Sequence, residues 1–270
     1  MNLLKPLGHV DYTPVDQALM ELDKYKLVKR KKPLSQEIPE GNPDFSLEDK
    51  TDHYLITGFK NENSLVSYKL FKELLLDKTQ DEHAQDRIRI LSSNSHEPFL
   101  GDISEYHSIF NILYNNKRSS DYKDIIEQAR NFIKQSMLEH WLATLTRIKY
   151  NPVGDDIVMH NYKQSDQHPI SIDSFIGPDG YITKPETANI EEPLHSLFNT
   201  SQNPEQINQV YRWLLTNADV YIQRLNSRPE ILDEKVAGIG ADSDCTFLDC
   251  DWYSSFSFVG LGVQKIFHKK

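Results

Sequence analysis

Gly238 to Val263 reads GIGADSDCTFLDCDWYSSFSFVGLGV, and its reading decides the fold. It holds no Lys, Arg, Glu, Gln, Asn, His, Pro or Met, although Lys, Glu and Asn are common elsewhere. Both cysteines, Cys245 and Cys250, lie within it. What remains is Asp, Ser and Gly around Phe247, Trp252, Tyr253, Phe256 and Phe258. Strict alternation of apolar and polar residues, the mark of a core strand, is legible only at Phe256–Ser257–Phe258. A disordered linker would not be so aromatic. Rigid aromatics among small polar residues match the composition of recognition surfaces, where Tyr and Trp supply area and Ser, Gly and Asp supply adaptable hydrogen bonds.

Outward from this segment, the composition is that of a globular chain. Its 270 residues suffice for a core. Lys and Arg total 30 against 40 Asp and Glu, so the surplus of cations that a general nucleic-acid binder needs is absent. The one basic run, Lys29–Lys32, reads as the end of a helix. The first residues lack the apolar run of a signal peptide, and no window suggests a membrane span. Two cysteines five residues apart make neither a disulfide framework nor a CxxC redox pair, and they read as small surface or rim residues.

Local signals order the rest. Thr13–Pro14 opens a helix to about Val28, followed by a surface loop from Pro33 to Asp52. His53–Phe59 is a strand, and Ser64 caps a helix carrying Leu65, Tyr68, Leu70, Leu74 and Leu75. Gln80–Gln85 reads as polar and exposed. A helix over Ser104–Asn115 buries Tyr106, Ile109, Phe110 and Leu113. The longest helix is expected over about Asp121–Ile148, with its stripe running from Ile125 through Trp141 to Ile148. Ile157–Tyr162 and Ile170–Ile176 read as strands, and Gly177–Gly180 as a turn into Tyr181 and Ile182. Asn203–Pro204–Glu205–Gln206 is a capping box with proline at the first helical position. Val220–Leu225, Lys235–Ile239 and Leu261–Phe267 are strands. The class is α+β.

Candidate chemistry is sparse. Asp242, Asp244, Asp249 and Asp251 could hold a hard cation, but they lack the spacing of an EF-hand. Cys245 and Cys250 without a neighbouring His make a poor zinc site. Gly238–Ile239–Gly240 completes no phosphate-binding loop. His160, His168 and Asp166 are near enough in sequence for acid/base chemistry, while His140 reads as structural. No nucleophile elbow, HExxH or Walker motif occurs, so no catalytic residue, metal or cofactor is expected.

The C-terminal arrangement resembles the variable proteins of diversity-generating retroelements, especially archaeal and archaeal-virus members. In that family a C-type-lectin fold ends in a stretch encoded by adenine-rich AAY codons and a closing strand of the LGVR or GFR type. Asp242 to Gly260 fits the residues such codons can yield at every position except Trp252. Leu261–Gly262–Val263 matches the closing strand, with Gln264 in place of the usual Arg. Tyr221–Asn226 and Asp233–Ala237 are similar to the family's supporting strands. The likeness extends from Ala129 onward and is specific over about the last fifty residues. The calcium-dependent sugar motifs of animal lectins are absent, so it points to the formylglycine-generating-enzyme-like branch.

The resemblance implies one C-type-lectin-like domain over residues 1–270, with a helical elaboration over about 1–150 and a hypervariable segment over about 240–260. The implied function is non-catalytic binding of a protein or other surface macromolecule, on a virion or a cell surface. The ligand-binding residues are then Gly240, Asp242, Asp244, Cys245, Phe247, Asp249, Asp251, Trp252, Tyr253, Ser255, Phe256 and Phe258. Leu225, Val236, Leu261 and Val263 are scaffold. Two competing readings stand beside it. One is a metal-dependent hydrolase using the four aspartates with His160 or His168. The other is a structural subunit docked through its aromatic tail.

Overall fold

In the computed structural model the described residues are 44–61, 64–93, 95–160, 167–170, 174–183 and 190–268. The chain divides into two units, Met1–Ile38 and Pro39–Lys270, and everything below concerns the second. The expected helix from Thr13 and the basic run at Lys29–Lys32 lie outside the described residues.

The elements in chain order are β1 (Ser46–Asp49), β2 (His53–Asn61), β3 (Ser64–Thr79), α1 (Gln80–Ser92), β4 (Phe99–Leu100), α2 (Ile103–Asn115) and α3 (Lys123–Glu139). There follow β5 (Leu142–Tyr150), β6 (Asp156–Met159), β7 (Gln167–Ile170), β8 (Gly180–Tyr181), α4 (Glu191–Phe198) and α5 (Pro204–Leu215). The chain closes with β9 (Asp219–Gln223), β10 (Asp233–Ala241), β11 (Cys245–Trp252) and β12 (Ser257–His268). The protein is α+β, built on one large mixed sheet in the order β1-β2-β3-β12-β5-β10-β11-β9-β8. The β11–β9 and β12–β5 pairs are parallel, and the other neighbours on this path are antiparallel.

Several local signals hold. Asn203 caps α5, accepting from the Gln206 N–H while the Gln206 side chain returns to the Asn203 N–H, and Pro204 fills the first position. Tyr106, Ile109, Phe110 and Leu113 of α2 are fully buried. Val236, Leu261 and Val263 are buried as scaffold, and Leu225 packs against the core.

Other expectations are corrected. Ser64–Thr79 is a strand, paired with β2 on one side and β12 on the other. A strand buried between two neighbours carries a near-continuous apolar run, which local periodicity cannot tell from a helix. Gln80–Gln85, expected to be polar and exposed, is the start of α1, capped by Thr79 and Glu82; Asp81, Glu82 and Gln85 are exposed, whereas Gln80, His83 and Ala84 are buried. Gln80 is buried because its Nε2 donates to the Thr144 carbonyl of β5 at 2.5 Å. The long helix stops at Glu139, and His140 is extended. Leu145 and Ile148 therefore belong to β5, and Trp141 precedes it. β1 interrupts the loop expected over Pro33–Asp52.

The two faces of the central sheet differ. Leu142, Ile148 and Tyr150 of β5 join the main core with α2, α3, α4 and α5. The intervening Ala143 and Leu145 point the other way, toward Ala84 of α1, Leu100 and Phe258. Beyond α1, this second face continues across β10, β11, β9 and β8 with no helix of the described residues over it.

Candidate functional site

β11 alternates after all. Thr246, Leu248 and Cys250 are buried, while Phe247 is half-buried and Asp251 exposed on the opposite side. Cys250 fits here as a small core residue; Tyr150 Oη donates to its carbonyl at 2.8 Å. Cys245 is also buried, so neither cysteine is the surface or rim residue expected. Burial pushes the Cys245 thiol up to about 11, and it pushes Cys250 upward as well, so both remain protonated thiols at neutral pH.

Direct strand partners line up a row. Phe247 lies opposite Tyr221 of β9 and Gly240 of β10, and Tyr221 lies opposite Tyr181 of β8. Side chains on directly opposed residues share a face, so this row projects from the uncovered side. Ring contacts make it continuous. Tyr181 meets Tyr221 at 5.2 Å, Tyr221 meets Phe247 at 5.8 Å, and Phe247 meets Trp141 at 5.4 Å. Trp141 meets Trp252 at 5.5 Å, and Trp252 stacks on Phe258 at 4.2 Å with 14° between planes. Phe258 leads to Phe256 at 6.1 Å and Phe256 to Tyr253 at 5.6 Å. Trp141 (42 %), Tyr253 (56 %) and Phe256 (52 %) are exposed, and the others are half-buried.

Two glycines make this platform possible. A Cβ at Gly238 would lie 2.6 Å from Cε3 of Trp252, and one at Gly240 would lie 3.0 Å from Cδ2 of Trp141. Gly238–Ile239–Gly240 is therefore a seat for two indole rings, with Ile239 buried between the glycines on the opposite face.

The aspartates have separate surroundings. Asp242 Oδ1 accepts from the N–H of Asp244 at 2.7 Å and of Cys245 at 2.8 Å, closing the β10–β11 turn. These bonds, that of Asp244 first, hold its carboxyl below the usual range. Asp244, Asp251 and Ser255 are exposed. Asp249 is buried beside the platform and accepts the Asp251 N–H at 3.0 Å. Burial, then the hydrogen-bonded Asp251 carboxyl, raises Asp249 to about 7. Of the expected site residues, then, Asp242, Asp244, Asp251, Tyr253, Ser255 and Phe256 are exposed, Phe247, Trp252 and Phe258 half-buried, and Gly240, Cys245 and Asp249 buried.

His160 is buried, hydrogen-bonded to Thr146 Oγ1 at 3.1 Å and the Ser196 carbonyl at 2.9 Å, and it ties β5 to the end of α4. Asp166 and the His168 side chain lie outside the described residues. Among the described residues no three His, Cys, Asp or Glu side chains are grouped so as to hold a metal ion. No helix among them is long and apolar enough to cross a membrane.

Sequence reading missed Trp141, Tyr181 and Tyr221. The available signal was the glycine pair, since alternate glycines in a strand mark a close approach to its face. Compared with known proteins, the chain matches no protein family, no curated protein and no solved structure.

Proposed function

We propose that the protein is a non-catalytic binding protein whose C-terminal face recognises a macromolecular partner. Its fold would be C-type-lectin-like, of the formylglycine-generating-enzyme-like branch, with the outer positions of residues 240–260 open to diversification. The observation that carries this reading is the division of labour within β11 and the turns on either side of it. Thr246, Leu248 and Cys250 hold the segment in the core, while Asp244, Asp251, Tyr253, Ser255 and Phe256 are exposed. Such positions can change without loss of the fold, because exposed substitutions usually alter stability by about 0.5 kcal/mol or less. Large aromatics on a rigid sheet give contact area with little entropy lost on binding.

The test is a display library randomised together at those five positions. Most members should remain folded, with thermal midpoints near the parent's, and selection against unrelated proteins should return binders. General unfolding of the library, or folded members that never yield a binder, would refute the proposal.

A further inference from the structure

The C-terminal stretch of the platform is one-sided in charge. Between Gly238 and Val263 there is no Lys, Arg, His, Asn or Gln, so no charged or amide donor stands among the side chains of that stretch. Its ionisable oxygen groups include four aspartates, set among uncharged hydroxyls and one indole N–H. They occur at two places along the platform: Asp244 in the turn near Tyr181, and Asp249 with Asp251 beside Trp252. Tyr181 is pushed up by Cys245 first, then by its burial, and also by Asp242 and Asp244, which places those acids close to its ring. A surface of acidic groups and π-faces is complementary to a group that carries positive charge. Guanidinium and ammonium are the side chains of that kind.

The same chemistry is already present at the platform's edge. Lys235 Nζ sits 3.4 Å from the Tyr253 ring centroid and 3.2 Å from Asp233 Oδ2. An ammonium between an aromatic face and a carboxylate is thus an arrangement this fold accommodates. The indoles of Trp141 and Trp252 are the stronger π-acceptors, and Asp249 and Asp251 are the carboxylates nearest Trp252.

We infer that the platform binds an arginine- or lysine-bearing segment of a partner protein, its cationic side chains lying against Trp141 and Trp252 with their charge toward the exposed Asp251. This rests on the binding function proposed above and names the partner's chemistry. A neutral saccharide, the other usual occupant of an aromatic face, would leave the negative charge of this surface without a counterpart.

The experiment titrates the full chain at 0.15 M salt with three probes: an arginine–glycine peptide, its glutamine–glycine counterpart, and a neutral β-linked glucose hexamer. The arginine peptide should bind and the other two should not. Trp141→Ala should weaken it roughly tenfold, the worth of a partly desolvated cation–π contact. Asp251→Asn, at an exposed position, should weaken it by roughly threefold with the thermal midpoint near the parent's, whereas Asp155→Asn, exposed on the β5–β6 turn, should leave it unchanged. Binding of the arginine peptide that is equal in all variants is charge attraction to an acidic protein and overturns the inference. So does preference for the hexamer or the glutamine peptide. In either case a display library that still yields folded binders leaves the proposed function standing, whereas its general unfolding removes both.

Discussion

Replacing Gly238 with alanine puts a methyl group where the Trp252 ring now lies. The new carbon would be 2.6 Å from Cε3, whereas carbon atoms in contact sit about 3.5–4.0 Å apart. The indole must move by roughly 1 Å, and it is not free to do so. It stacks on Phe258 at 4.2 Å and leans on Trp141 at 5.5 Å. Overpacking of this kind costs about 1–3 kcal/mol. The alanine also removes the conformational freedom of a strand glycine from the unfolded chain, which returns about 0.5–1 kcal/mol. The clash is the larger effect, so Gly238→Ala should destabilise the protein by roughly 1–2 kcal/mol. In a Trp252→Ala background the obstruction is absent, only the entropic effect remains, and the same substitution should stabilise by about 0.5–1 kcal/mol. Urea unfolding of the four proteins, followed by far-ultraviolet circular dichroism because one tryptophan is removed, gives the coupling energy, expected near 2 kcal/mol. Gly240→Ala should be milder, since the nearest atom of Trp141 is 3.0 Å away and that ring, 42 % exposed, can slide outward. If Gly238→Ala costs the same with and without Trp252, the glycine is not a ring seat and the account of the platform is wrong.

Asp249 is more protonated in the folded than in the unfolded chain between about pH 4 and pH 7, so its contribution to stability falls as pH rises through that window and is flat outside it. Asp249→Asn should therefore match the parent near pH 4 and exceed it at pH 8 by on the order of 3 kcal/mol; an equal difference at both pH values in thermal unfolding would refute the assignment. Glu105 meets Arg87 through two bonds of 2.9 and 3.0 Å in a buried fork, so Glu105→Ala strands the guanidinium and should cost about 3–5 kcal/mol by urea midpoint. Arg87→Met with Glu105→Leu should recover part of that loss, because no guanidinium is then stranded, although the buried Asp102 N–H still loses Glu105 Oε2 as its acceptor.

The capping box at Asn203 and Gln206 was legible because its partners are three residues apart and its chemistry is local. The same holds for the apolar stripe of α2 and for the β12 core. Ser64–Thr79 was misread because leucines on both sides of a doubly paired strand imitate a helix stripe. Trp141 was misread as the inward side of a helix that ends at Glu139, two residues before it. The alternation of β11 is present at Leu248–Asp249–Cys250–Asp251, with the apolar residues inward, and it was hidden by its ends, where Phe247 and Trp252 face outward and the hydroxyl-bearing Thr246 faces in. Large aromatics usually mark the core; here two of them lie on the face that no helix of the described residues covers.

The chain's sequence alone determined that residues 238–263 are rich in aromatics and carboxylates and poor in cationic side chains, that the class is α+β, and where the short-range caps and several strands fall. Those properties depend on residue type and on partners within a turn or two. Only the tertiary structure decided that Tyr181, Tyr221 and Trp141 join Phe247 and Trp252 in one platform, and that Cys245, Cys250 and Asp249 are withdrawn from solvent. Strand order places β8, β9, β11, β10 and β5 side by side across a long span of chain, and register selects which side chains face out. A shift of one residue in that register would turn every ring to the other face, and no local pattern in the sequence records which register is adopted.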